Sequence, residues 1–219
     1  MTIIILTESE RENMKATPNA AGEWIELQQV YGAAIREITS RLEGIYVEFQ
    51  LCHSDNPIHR IEYRLKSMKS IIRKAEKLNL PKNISAVKEK LMDIAGVRVI
   101  CNYPDDINKI EESILLSDDV QLLKRKDYIT HPKPCGYRSL HLIITLPVFL
   151  NQKTEIVPVE IQLRTIPMDY WARLDHRIQY KTESPNAELY YQQLTECADQ
   201  LAEIENRIKC IHRNIRSEI

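Results

Sequence analysis

The periodicities along this chain predict an α+β fold, and three observations carry that reading. Apolar positions recurring at three and four residues mark long helices near both ends, at 24–49 and 187–215. β-Branched runs lie between them, around 97–100, 140–150 and 156–165. In chain order the elements read helix, strand, helix, then strands, then helices, which is an α+β order. The 219 residues, 43% of them hydrophobic, suffice to bury one substantial core, and 5 Gly and 10 Pro are too few for a disordered or glycine-rich architecture.

Each element has its own warrant. Residues 1–20 end in the polar, helix-unfriendly stretch TPNAAG and read as a loose leader. From Trp24, the positions Leu27, Val30, Tyr31, Ala34, Ile35, Ile38, Leu42, Ile45 and Phe49 form one helical stripe, broken by HSDNP at 53–57. A second helix is expected from Pro57 or Ile58 to about Leu78, because proline is tolerated in a first turn. After NLPKN a short helix leads into DIAGVRVICNY, where Gly96 precedes the strand-forming Val97, Val99 and Ile100. Residues 105–117 resume a helical pattern, and VQLLKRKDYI adds a strand. SLHLIITLPVFL and IVPVEIQLRT, separated by the polar NQKTE, form an antiparallel hairpin. In the tail, Ala187, Tyr190, Leu194, Cys197, Leu201, Ile204, Ile208, Ile211 and Ile215 step alternately by three and four. So narrow a stripe either packs on its own domain or pairs with another copy.

Composition excludes several classes. Lys plus Arg is 30 against 31 for Asp plus Glu, so the net charge of −1 removes the bulk attraction that a general nucleic-acid or membrane binder uses. Any anion site must be a local cluster. The five cysteines include no CxxC and no His at zinc-finger spacing, which argues against a disulfide scaffold or a structural zinc. The apolar run after Thr2 is too short for a signal peptide, and nothing approaches the roughly 20 apolar residues of a membrane span. A soluble, cytoplasmic protein with reduced thiols is expected.

Three segments can carry chemistry. Residues 59–77 hold seven Lys or Arg against two acids, either a solvated helix face or a phosphate-binding cluster. KDYITHPKPCGYRSLH, at 126–141, combines cations (Lys126, Lys133, Arg138) with Tyr137 as a stacking face, His141, and Gly136, which lets the backbone approach a ligand. That is a nucleotide-site composition. The third element is acidic. Asp93 lies just before the first core strand, while period-2 alternation puts Val157, Val159 and Ile161 on one face of their strand and Pro158, Glu160 and Gln162 on the other. If the two carboxylates share a cleft, they can hold Mg²⁺ with substrate phosphates completing its shell, and Glu160 can draw a proton from an attacking hydroxyl. Read alone, either is equally an exposed or Arg-paired carboxylate. Trp171 reads as core and His176 as a structural or surface residue. No His/Asp cluster with metal-ligand spacing exists.

Six ordered motifs together resemble the RelA/SpoT-type alarmone synthetases: R-x-K-S at 64–67, SIxxK at 70–74, DIAGVRV at 93–99, KDYI at 126–129, KPxGYRSLH at 133–141 and VEIQLRTxxMDYWAxxDH at 159–176. The likeness covers about residues 24–182 and is to the small, single-domain members. It implies a mixed five-stranded sheet flanked by helices, related to nucleotidyltransferases. It also implies transfer of the β,γ-diphosphate of ATP to the 3′-hydroxyl of GTP or GDP, giving pppGpp or ppGpp and AMP. Carried over by position, Arg64 and Arg98 resemble the pair that sandwiches adenine, and Lys66, Ser67 and Lys74 the ATP phosphate ligands. Asp93 resembles the Mg²⁺ carboxylate, and Glu160 the carboxylate that activates the 3′-hydroxyl and touches the metal. Tyr137 resembles the guanine-stacking residue, with Lys126, Lys133, Arg138 and His141 near the acceptor's phosphates and ribose and Gln162 beside Glu160.

Two positions depart from the pattern. Cys135 stands where relatives usually have Asn or Ser, bearing on guanine-side hydrogen bonding. Asp169 stands where Asn is frequent, adding negative charge near the acceptor's phosphates. GTP against GDP is left open by both. The resemblance further implies a homotetramer through the terminal helices, with 1–20 as a flexible leader, 21–184 as the synthetase domain and 185–219 as an oligomerisation helix. No membrane or obligatory nucleic acid is implied, and single-stranded RNA stays open as a regulator. Two other functions fit parts of the sequence: a toxin relative that modifies tRNA or adenine nucleotides, and a non-catalytic nucleotide- or RNA-binding regulator. The first would lack the acceptor cations and the second Asp93 or Glu160, yet all are present.

Overall fold

The computed structural model describes residues 20–52, 55–81, 83–151, 153–179 and 186–217, so the leader and the junction near 184 lie outside the described residues. A helix α1 (Ala20–Cys52) is followed by β1 (Ile58–Leu65), α2 (Met68–Lys77), α3 (Ile84–Lys90), β2 (Ala95–Cys101), α4 (Pro104–Leu115), β3 (Gln121–Asp127), β4 (Leu140–Phe149), β5 (Thr154–Thr165), α5 (Ile166–Gln179) and α6 (Ala187–Ser217). The strands form one mixed sheet in the order β1-β2-β5-β4-β3. Only the β2–β5 pair is parallel.

One expected element is corrected. Residues 58–78 are a strand and a separate helix, not a single helix. Ile58, Ile61 and Leu65 are spaced like a helical stripe, but a register irregularity between Ile58 and Arg60 on β1 supplies the extra residue. Past it, Ile61, Tyr63 and Leu65 alternate with Glu62 and Arg64, and the open edge of β2 captures the segment. Ser67 then caps α2, its hydroxyl accepting from the Ser70 N–H.

The sheet has two unlike faces. Val97, Val99, Leu140, Leu142, Ile144, Val159, Ile161 and Leu163 are buried on one, against Leu27, Val30, Tyr31, Ala34, Ile38 and Leu42 of α1 and Ile107, Ile110 and Ile114 of α4. Each large aliphatic side chain so buried contributes about 1.5–3 kcal/mol. α1 packs across β1, β2, β4 and β5, which frees the opposite face for polar residues.

Helix α6 lies against the protein by a different stripe from the one its heptads suggest. Ala198 and Glu205 are buried and Leu194, Leu201, Lys209 and His212 half-buried, whereas Ile204, Ile208, Ile211 and Ile215 are 50–59% exposed. Its distal half is held by polar contacts. Asp105 accepts from Lys209 and Arg213, Asp55 pairs with His212 and Arg216, and His212 stacks on Tyr103 at 4.4 Å.

Candidate active site

The polar face is built by register. Glu62, Arg98, Gln162, His141 and Lys126 are successive cross-strand neighbours, one from each strand of the sheet. The adjoining row runs Arg64, Gly96, Glu160. Gly96 supplies no side chain between Arg64 and Glu160, and an open cleft of about 440 Å³ forms there, lined also by Lys66, Asp93, Arg98 and Gln162.

At one end, the turn before β2 brings Asp93 to the chain leaving β1, where the Lys66 N–H donates to the Ile94 carbonyl. Asp93 Oδ2 accepts from Lys66 Nζ at 2.5 Å and from Lys74 Nζ of α2 at 2.6 Å. Burial works to raise the Asp93 carboxyl, but the two ammonium groups outweigh it and hold the group below its ordinary value. Burial pulls Lys66 down, reinforced by Lys74 and Arg64 and only partly offset by Asp93. The other carboxylate oxygen, Asp93 Oδ1, is buried without a hydrogen-bond partner.

Glu160 faces the same cleft. Its Oε1 is 3.2 Å from His141 Nδ1 and its Oε2 accepts from Gln162 Nε2 at 2.9 Å. Burial and Asp93 push it up, yet the His141 and Gln162 contacts prevail and keep it below its ordinary value, hence ionised near neutrality. A buried, unpartnered carboxylate oxygen on Asp93 and a second carboxylate across the cleft fit a hard divalent cation. Among the described residues no set of three or more His, Cys, Asp or Glu could hold a metal, so such an ion would need substrate oxygens or water.

Next to Glu160 lies an aromatic cluster. Tyr137 Oη is 2.8 Å from His141 Nε2, Tyr128 packs edge-on to both rings, and Lys133 Nζ lies 4.8 Å from the Tyr128 and Tyr137 centroids. Lys126 adjoins His141 on β3.

Most of the expected site residues therefore converge: Asp93, Lys66, Lys74, Arg64, Arg98, Glu160 and Gln162 about the cleft, with Tyr137, His141, Lys133 and Lys126 beside it. Ser67 sits exposed at the α2 N-terminus. Arg138 is not brought in; its guanidinium bonds the Ile129 carbonyl and Asp199 of α6. Gly136, at φ +87°, opens the backbone to α6 rather than to a ligand, with the site of an added Cβ only 2.6 Å from Ala198 Cβ. Cys135 likewise interacts with the Tyr191 hydroxyl on α6. Asp169 does not add free charge by the acceptor cations. It is buried among arginines, bonded by Arg164 at 3.2 Å and Arg173 at 2.6 Å and within 3.4 Å of Arg60 and Arg98. The His176 side chain lies outside the described residues.

Sequence reasoning missed Arg164. It is buried, and it bonds Tyr137, Gln162 and Asp169. The signal was there: in EIQLR, Arg164 shares the parity of Glu160 and Gln162.

The family described as "Region found in RelA / SpoT proteins" matches residues 63–185, and the chain belongs to it. Within that family the likeness is to small synthetases. The chain is 40% identical over 177 residues to the GTP pyrophosphokinase YwaC of Bacillus subtilis (strain 168), covering 81% of this chain and 84% of that protein. Among solved structures, small alarmone synthetase 2 from Bacillus subtilis superposes with a TM-score of 0.79 at 36% identity, covering 88% of this chain and 99% of that one. Small alarmone synthetase 1 from Bacillus subtilis, bound to its product pppGpp, gives 0.81 at 28% identity over 89% and 99%.

Proposed function

We propose that the cleft is the active site of a GTP pyrophosphokinase. The chain transfers the β,γ-diphosphate of ATP to the 3′-hydroxyl of GTP or GDP, producing pppGpp or ppGpp and AMP. The observation that carries the assignment of roles is the convergence on one cleft of Asp93, bound by two lysines, and Glu160, ionised and held at both oxygens.

The chemistry follows from charge. The 3′-oxygen attacks the β-phosphorus of ATP, an O–P bond forms, the bond from that phosphorus to the oxygen bridging the α-phosphate breaks, and AMP departs with the bridging oxygen. A diphosphoryl group in transit needs positioning and positive charge more than covalent help. Lys66 and Lys74 supply the charge, with Ser67 at the helix N-terminus, and Arg64 and Arg98 flank the adenine. Tyr137 stacks on guanine, while Lys126, Lys133, His141 and Gln162 meet the acceptor's ribose and phosphates, and Arg138 braces the loop. Glu160 takes the 3′-hydroxyl proton. Asp93 and Glu160 would hold Mg²⁺, which supplies charge neutralisation at the transferred group.

The exposed isoleucines of α6 support a homotetramer built through the terminal helices, with 185–219 as the assembling segment and 21–184 as the synthetase domain. Among the described residues no helix is long and apolar enough to cross a membrane, and the five cysteines are unpaired, as suits a cytoplasmic enzyme.

The test is nucleotide chromatography after incubation with Mg²⁺, ATP labelled at the γ-phosphate, and GTP, GDP, adenine nucleotides or tRNA as acceptors. Label in a guanosine tetra- or pentaphosphate, absent with Glu160→Gln, supports the reading. Label only in tRNA or adenine nucleotides, or in nothing while the protein is folded, refutes it.

A further inference from the structure

Two hydrogen-bond chains leave one nitrogen of Arg164 and end on the two oxygens of Glu160. Arg164 Nη2 donates to Tyr137 Oη at 2.7 Å and to Gln162 Oε1 at 3.0 Å. Tyr137 Oη meets His141 Nε2, and His141 Nδ1 meets Glu160 Oε1. Gln162 Nε2 donates to Glu160 Oε2. The two ends fix the terminal bonds, because a guanidinium only donates and an ionised carboxylate only accepts. The Tyr137 hydroxyl accepts from Arg164 and His141 presents its Nδ1–H to Glu160; with a single proton on the imidazole, the Tyr137 hydroxyl is the donor to His141 Nε2. The Gln162 amide orientation is fixed in the same way. Arg164 is itself held by Asp169 through Nη1, with its Cζ 5.1 Å from the Tyr137 ring centroid.

We propose that Arg164 is a positioning residue of the transfer reaction, fixing through these two chains both the tyrosine that receives guanine and the carboxylate that receives the 3′-hydroxyl proton. The proposal rests on the reading of the cleft given above. A planar fork is required, since a lysine ammonium cannot bond Tyr137, Gln162 and Asp169 in one plane.

The test compares wild type, Arg164→Lys, Tyr137→Phe and the double variant in steady-state synthesis. ¹⁵N NMR of the histidine side chains at pH 8 is recorded alongside, with the His141 signal assigned by its loss in His141→Asn. Arg164→Lys is expected to lower kcat between about ten- and a hundredfold and to raise the acceptor KM. The ATP KM should stay within about twofold, because Arg60 and Arg173 still hold Asp169 beside Arg98. The double variant should fall little below Arg164→Lys, because both changes cut one chain. In wild type His141 should be protonated on Nδ1, and its Nε2 shift should move in both single variants. Wild-type kcat in Arg164→Lys, additive losses, or a proton on Nε2 in wild type would each overturn the proposal. If Arg164→Lys does not fold, Tyr137→Phe combined with Gln162→Met cuts both chains with Arg164 in place, and unchanged kcat there overturns it too. Wild-type protein that makes no alarmone refutes the assignment of activity instead, while the NMR measurement still decides the bond directions.

Discussion

Replacing Gly136 by alanine should cost stability through two separable effects. The residue sits at φ +87°, where an L side chain strains the backbone by about 1–2 kcal/mol. The new methyl would lie 2.6 Å from Ala198 Cβ, well inside contact distance, and 3.4 Å from Thr195 Cα, and overpacking of that kind costs about 1–3 kcal/mol. Against this, the loss of glycine entropy in the unfolded chain returns about 0.4–1 kcal/mol. The net expectation is roughly 1–4.6 kcal/mol, or on the order of 2–18 °C in Tm for a chain of this length. Urea unfolding of Gly136→Ala, Ala198→Gly and the double variant separates the effects. Ala198→Gly alone costs about 1 kcal/mol as a helix-interior glycine, but in the Gly136→Ala background it relieves the clash. The double variant should therefore be more stable than the sum of the singles by about 1–3 kcal/mol. Because Tyr137 follows Gly136 directly in the chain, the acceptor KM should rise while the ATP KM holds. A Gly136→Ala protein within about 0.5 kcal/mol of wild type, or strictly additive losses, would show that α6 does not press on this loop.

Other consequences are as direct. Cys52 and Cys210 are exposed and lie off the α6 isoleucine stripe, whereas Cys101 is buried, its thiol pushed up by burial and then by Asp106; a thiol reagent at neutral pH should modify the first two quickly and Cys101 only on unfolding. Asp93→Asn should lower kcat at least about a hundredfold, yet metal-free binding of a non-hydrolysable ATP analogue, followed by calorimetry, should tighten because Lys66 and Lys74 lose their carboxylate partner. For Asp105, burial raises the carboxyl but Lys209 and Arg213 prevail, so its folded value lies below the unfolded one. Its contribution is then complete above the unfolded pKa of about 3.9 and is lost as pH falls through the folded value. Asp105→Asn should flatten that acid limb in unfolding measured from pH 7 to 3. Under the proposed assembly, Ile208→Glu with Ile211→Lys should lower the mass read by light scattering to that of a single chain; an unchanged mass would count against α6 as the assembling helix.

Strand parity was the most legible feature of the sequence. It placed Glu160 and Gln162 on the face opposite Val159 and Ile161 from the string VPVEIQLRT alone, because period-2 alternation needs no tertiary information. The same parity marked Arg164, but nothing local says that an arginine two residues past Gln162 meets a tyrosine on β4's approach loop. The misreading of 58–65 has a definite origin. One extra residue in an edge strand reproduces a spacing of three, and only the free edge of β2 decides between strand and helix. Gly136 and Arg138 were read as ligand contacts because composition gives residue types, not the side from which a neighbour arrives. Their neighbour is α6, some sixty residues downstream, whose heptads show a stripe without showing which of its faces the domain takes.

The electrostatics of the site resolve the contrast between a neutral chain and a heavily anionic reaction. With a net charge of −1, long-range attraction cannot gather two nucleotides. The positive charge is instead stored locally against carboxylates: Lys66 and Lys74 on Asp93, and Arg60, Arg98, Arg164 and Arg173 about Glu62 and Asp169. Paired in this way the cations neither repel one another apart nor lose their orientation while the cleft is empty. With Lys66 and Lys74 as the proposed phosphate ligands, incoming triphosphate would compete with Asp93 for both. That competition would return the carboxylate to the cleft just as phosphate enters, where Asp93 would be free to help hold a divalent ion. Nucleotide and metal binding should thus reinforce each other through one aspartate, each removing what holds the other out.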